Sequence, residues 1–315
     1  MTSRLLAALL GALLVAACAT KSEPAEDGLR LVDLTPEVAR GWDETASLPD
    51  AGRVTAFKAH FANILPGFYS HERFGMPEPG PYDERLLAGL KAYPEQRAKI
   101  EEVSRRFAAM LDPARTSFER EFGPMRGYPP IYLVVSFGEF DGGTRTLPGG
   151  GFLMFGADMV AKLHLQHDIR PFFHHELFHL YHARTFRECE QLWCGLWTEG
   201  LAVYAASRLN PGATDSELLL TEPEPLRDAV ERNRKEAVCT VLARRDSIAT
   251  ADGRALFSSG RLNERLPPRF GYYLGYLVAA EAGKTRSLKQ LAGLTPEQTR
   301  PVVEAALRSL ADCPA

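Results

Sequence analysis

The spacing of apolar residues changes character along this chain. Over 52–64 and 84–121 they recur every three or four positions, which predicts helices. Pro94 and Pro113 fall inside the second stretch. Proline lacks the backbone donor and crowds the preceding turn, so both are read as breaks. In the middle, Ile131-Tyr132-Leu133-Val134-Val135-Ser136-Phe137 is a β-rich run bounded by Pro129-Pro130 and Asp141-Gly142-Gly143, which predicts a buried strand. A second strand is expected over 149–158, entered through three glycines and left through Gly156. Helical spacing returns at 171–184, 197–209, 224–246, 271–283 and 295–311. Thr221-Glu222-Pro223 and Thr295-Pro296-Glu297 read as helix starts, a cap followed by proline near the first turn. The charged run 231–236 reads as a solvated helix face. Helices around a few central strands make an α+β fold with a small mixed or antiparallel sheet and mostly helical N- and C-terminal parts.

The predicted helix at 171–184 contains His174-His175-Glu176-Leu177-Phe178-His179. Residues four apart on a helix differ by about 40° around its axis, so His175 and His179 point the same way. Two imidazole nitrogens on one face can hold a zinc ion, and Glu176 beside the first can take a proton from water on that ion. A bland reading also exists, in which the histidines are ordinary polar residues of an amphipathic helix. His182 is two turns beyond His175, about 10 Å along the axis, which suits packing or support better than ligation. His174 points off the ligand face.

A catalytic zinc site normally has three protein ligands and one open position. Glu199 opens the next apolar helical stretch, with Leu201, Ala202, Ala205 and Leu209 at helical spacing, and it is the candidate third ligand. Glu188 and Glu190 compete, but they sit in a polar segment between cysteines. The alternative for Glu199 is a first-turn glutamate favoured by the helix dipole.

His175, Glu176 and His179, with Trp197-Thr198-Glu199-Gly200-Leu201-Ala202, resemble the gluzincin group of zinc metallopeptidases, including poorly characterised bacterial predicted zinc proteases. The resemblance covers roughly residues 130–280. It implies a zincin-like catalytic domain over 46–315, with a helical N-terminal part at about 46–125. It also implies zinc ligation by His175, His179 and Glu199, and hydrolysis of a peptide or protein substrate with Glu176 as base. Many gluzincins carry an aspartate four residues after the glutamate ligand; Val203 stands there in this chain, so another group must orient His175. Asp158 and Asp168 are candidates.

In similar enzymes the strand before the zinc helix is an edge strand that pairs with substrate, a part the 149–158 segment would take. Aminopeptidases have a glutamate near its end that grips a free amine. Only Asp158 lies in that neighbourhood, which favours an endopeptidase. A tyrosine across the cleft often donates to the oxyanion. Tyr272 and Tyr273 are the candidates for that catalytic role, with Tyr276 and Tyr204 behind them; the competing reading is an aromatic stripe in the core. A degenerate peptidase that binds zinc without turnover, as an envelope lipoprotein, is the second functional class. Glu176 argues against it, since a structural site has no use for a base beside its ligand.

Three remaining features concern compartment. Arg4 and the apolar run 5–17, ending Leu14-Val15-Ala16-Ala17-Cys18, resemble a bacterial lipoprotein signal peptide; a plain signal peptide cut nearby is the alternative. The resemblance implies removal of 1–17, a lipidated Cys18 that anchors the chain to membrane, and a flexible tether over 18–45. With Ala19 after the cysteine, the expected location is the bacterial cell envelope, on the periplasmic face of the outer membrane. Four further cysteines could oxidise in an exported protein: Cys189 with Cys194 across a short loop, and then Cys239 with Cys313, unless they are free thiols. Finally, 37 basic and 40 acidic residues give a net charge of −3, with no basic footprint for nucleic acid.

Overall fold

The computed structural model describes residues 29–187 and 189–314. The signal peptide, Cys18 and the first part of the tether lie outside the described residues, as does Glu188. Among the described residues, twelve helices surround one four-stranded mixed sheet, an α+β arrangement.

The sheet order is β1 (Leu31–Asp33), β2 (Ile131–Val134), β4 (Gly150–Gly156) and β3 (Gly142–Leu147). β1 runs parallel to β2, with Leu31 opposite Ile131, and β2 runs parallel to β4, with Leu133 opposite Phe155. β3 is antiparallel to β4, with Gly142 opposite Phe155 and Leu147 opposite Gly150. Two expectations change here. The 149–158 strand is internal, paired on both sides, and the sheet edge belongs to β3. Residues 142–147 had the composition of a turn, because Gly-Gly-Thr-Arg-Thr-Leu carries almost no apolar signal; its ladder to β4 makes it a strand all the same.

The tether also ends earlier than expected. β1 adds to the sheet and α1 (Thr35–Thr45) packs beneath it, with Val38 fully buried. Next come α2 (Asp50–Phe61) and α3 (Pro79–Phe122). The 44-residue α3 passes through both Pro94 and Pro113 unbroken, correcting the predicted breaks. An interior proline costs a helix about 3 kcal/mol. Here both prolines lie on the solvent face, where water can serve the released carbonyls. The opposite face buries Leu86, Leu90, Tyr93, Ile100, Val103, Phe107, Ala114 and Phe118, and at ~1.5–3 kcal/mol per large apolar side chain that burial outweighs the loss.

After β4 come α4 (Ala157–Leu163), α5 (Arg170–His182) and α6 (Leu192–Leu209). The predicted helix over 224–246 is two helices, α7 (Leu226–Arg232) and α8 (Arg234–Arg244). Asn233 leaves helical geometry between them and its side-chain amide donates to the Ala229 carbonyl, the local competition asparagine offers a helix. Helix α7 starts three residues past the Thr221–Pro223 signal; the intervening chain turns so that Leu226 N donates to Leu220 O. Then follow α9 (Thr250–Phe257), α10 (Gly271–Ala282), α11 (Leu288–Ala292) and α12 (Pro296–Leu310). Thr295 caps α12 in a reciprocal box with Gln298, as its sequence signal predicted.

Phe155 of β4 joins sheet to helices: its ring stands 5.0 Å from Phe107 of α3, 5.5 Å from Phe172 and 5.6 Å from Phe173 of α5. Helices α6 and α10 cross through Gly200 and Gly275. A β-carbon built on Gly275 would fall 2.3 Å from the Leu196 carbonyl oxygen, so only glycine permits this approach. Cys189–Cys194 and Cys239–Cys313 stand at disulfide distance, with Cα separations of 5.8 and 5.3 Å. The first pair closes the loop between α5 and α6. Among the described residues, no helix is long and apolar enough to cross a membrane.

Candidate metal centre

Helix α5 reaches its position through His174, the histidine that points away from the ligand face. Its Nε2 donates to the Ala114 carbonyl of α3 at 3.0 Å, and its Nδ1 accepts from the Asn210 amide at the end of α6 at 2.8 Å. One buried ring thus ties three helices together, and burial holds it below the ordinary histidine range, neutral as these bonds require. About two turns later His182 is stacked between Phe178 at 5.2 Å and Phe186 at 4.9 Å. Burial drives its pKa down to about 3, so it too is a neutral packing residue.

Between these anchors α5 presents His175 and His179, and α6 presents Glu199. Their ligand atoms lie within 4.8 Å of one another. The two Nε2 atoms are 3.0 Å apart, and each stands 3.4 Å from Glu199 Oε2. An ion with tetrahedral ligands at about 2.0–2.1 Å spaces those ligands about 3.3 Å apart. The donor set and its dimensions therefore fit a zinc-sized cation. Burial raises the Glu199 carboxyl, but the charges and hydrogen bonds of His179 and His175 outweigh it and hold the group well below the usual carboxylate range.

Neither guess for the residue orienting His175 holds. Asp158 lies buried just past the C-terminal end of β4, where its carboxylate accepts from Ser136 N at 2.6 Å and Gly138 N at 2.6 Å. Asp168 pairs with Arg170 at the start of α5. The Nδ1 of His175 is buried and no protein group among the described residues bonds it. Glu190 is exposed, which removes it as a ligand competitor.

Glu176 is half-buried beside the triad. Burial raises its pKa, against the pull of His175 and His179. The start of β3 runs directly over it: a β-carbon on Gly142 would meet Phe172 Cζ at 2.7 Å and Glu176 Cγ at 2.9 Å. Asp141 fixes this approach. Its carboxylate accepts from Gly142 N at 3.0 Å and pairs with His164 Nε2 at 2.9 Å, while the His164 ring stacks on Phe172 at 4.3 Å. Burial would raise Asp141, but His164 overrides it and the carboxyl stays below its ordinary range.

The tyrosine pair divides cleanly. The Tyr272 ring lies 6.3 Å from that of His175, inclined 28° to it, and the Arg269 guanidinium stands 4.7 Å from the Tyr272 ring centre. Burial and the charges of Glu199 and Glu176 raise its pKa far above the phenol range, so it is a neutral donor. Tyr273 points elsewhere: its hydroxyl donates to Glu231 at 2.6 Å and accepts from Arg227 at 3.2 Å. Tyr276 stacks on Tyr273, 5.7 Å between rings. The Tyr204 hydroxyl lies against Gly283. None of these three faces the triad.

Four residues near the site were not foreseen. Gly142 and Asp141 lay in a segment read as a turn, and His164 followed no motif. Arg269 has a left-handed φ of 67° two residues before α10, and nothing in its sequence context signals that geometry. No family model, curated protein or solved structure matches this chain.

Proposed function

We propose that this chain is a zinc-dependent peptidase of zincin-like fold, acting as an endopeptidase. The observation that carries the reading is the triangle of His175, His179 and Glu199, whose edges suit tetrahedral coordination, with a half-buried carboxylate at the adjacent position 176. A zinc ion held there supplies Lewis acidity, which activates water and polarises a scissile carbonyl. Glu176 accepts the proton of the attacking water and delivers it to the leaving amine; its raised pKa brings it closer to the working pH of such a shuttle. Tyr272, neutral and beside His175, donates to the developing oxyanion. The open edge of β3 offers unpaired backbone groups to an extended peptide. The resemblance of residues 1–18 to a lipoprotein signal peptide supports a location on the periplasmic face of the outer membrane, with Cys18 as the anchor. The test is direct: dialysed protein should hold one zinc per chain and cleave a peptide library in a chelator-sensitive manner. Protein that retains no metal would end the proposal.

A further inference from the structure

The edge strand beside the metal centre carries a cation without a carboxylate of its own. Arg145 of β3 lies back along its strand, so that its Nη1 stands 2.8 Å from where a β-carbon on Gly143 would be. Gly143 adjoins Gly142, whose own β-carbon position is 2.9 Å from Glu176 Cγ. Gly142 pairs with Phe155 and Arg145 with Phe152, so Arg145 leaves the face of β3 opposite the one over Glu176, and its guanidinium curls back over Gly143 at the strand edge. Its nearest carboxylate is Glu139, but Arg73 already takes both Glu139 oxygens, at 2.6 and 2.5 Å. Arg145 reaches that group only through Nε at 3.6 Å. It is held instead by the Phe140 ring, 3.9 Å below the guanidinium carbon, and by the Thr144 carbonyl at 3.0 Å. Its side chain remains 27% exposed. Two arginines share one glutamate, so one positive charge with its planar fork of donors is incompletely neutralised on the edge strand.

We infer that Arg145 is a specificity-determining residue that receives an acidic side chain, aspartate or glutamate, next to the scissile bond of an extended peptide. This rests on the peptidase reading of the metal centre. Stacking on Phe140 removes much of the entropy that a free arginine would lose on binding, and the bidentate geometry of a carboxylate matches the fork.

Two peptide hydroxamates that differ only in aspartate versus asparagine beside the metal-binding group test it on the zinc-loaded full chain by calorimetry. Wild type should bind the aspartate probe about tenfold more tightly, as a charge-assisted hydrogen bond implies. In R145Q that ratio should fall towards one, and in R145E it should invert to favour the asparagine probe. R145K, which keeps the charge and loses the fork, should show an intermediate ratio. Equal affinity of wild type for the aspartate and asparagine probes overturns the inference while leaving the metal centre standing. Failure of the zinc-loaded chain to bind any of the hydroxamates overturns both.

Discussion

Gly200 of α6 and Gly275 of α10 touch backbone to backbone: a β-carbon on Gly200 would fall 2.1 Å from the Gly275 carbonyl carbon. Gly200 follows the proposed ligand Glu199, and Gly275 is about one turn from Tyr272. The crossing therefore sets the distance from the proposed third metal ligand to the proposed oxyanion donor. G275A must push the helices apart. Its destabilisation should be about 1–3 kcal/mol by denaturant midpoint, the usual scale for overpacking, with a fall in turnover beyond that explained by unfolded protein. An unchanged midpoint would mean that the contact is not tight.

Ligand and base should separate by mutation. E176Q keeps the shape of the site and should retain zinc while turnover falls by about 10²–10⁴-fold, the range for a general base. H179A removes one of two nitrogens only 3.0 Å apart and should lose the metal on dialysis. Metal analysis alongside a peptidase assay reads both. Wild-type rates in E176Q would remove its assigned role.

The neighbouring tyrosines should behave oppositely. Y272F deletes a donor beside His175 and should lower kcat about 10²–10³-fold with little change in KM. Y273F breaks only the bonds to Glu231 and Arg227, so it should cost about 1 kcal/mol of stability and leave kcat alone. Reversal of this pattern would move the oxyanion donor to Tyr273.

His182 predicts an acid-sensitive fold. Its folded pKa of about 3 lies below the ordinary 6.5, so between those values the unfolded chain binds a proton that the folded chain refuses. Stability should therefore fall as pH drops below 6.5, by about 1.4 kcal/mol per pH unit from this group alone. H182F preserves the stack between Phe178 and Phe186. From pH 7 to pH 5 it should lose about 2 kcal/mol less stability than wild type. Parallel unfolding curves at both pH values would refute the assignment.

What could be read from the sequence was what lies close together in it. His175, Glu176 and His179 share one helical turn, so their geometry follows from the helix itself, and Glu199 follows on the next predicted helix. The α+β class and most helices were legible because their apolar spacing is regular. The choice between Tyr272 and Tyr273 was not, because α10 is apolar on nearly every face and its spacing marks none of them. β3 escaped notice because an exposed edge strand needs little apolar surface, and its two leading glycines look like a turn. The prolines of α3 misled for a related reason: whether a helix survives them depends on which face meets solvent, and that is decided by partners distant in sequence.

The unpaired rim of β3 has a cost in concentrated protein. Any row of free amide groups is also a template for self-association between neighbouring molecules. Gly143, with φ at 128°, interrupts the flatness that such stacking requires, and Arg145 places like charges against each other when two rims meet. Valine at both positions should turn a monodisperse preparation into one that forms oligomers on concentration, visible by light scattering. The same two residues would then keep the rim open for substrate and closed to its own kind.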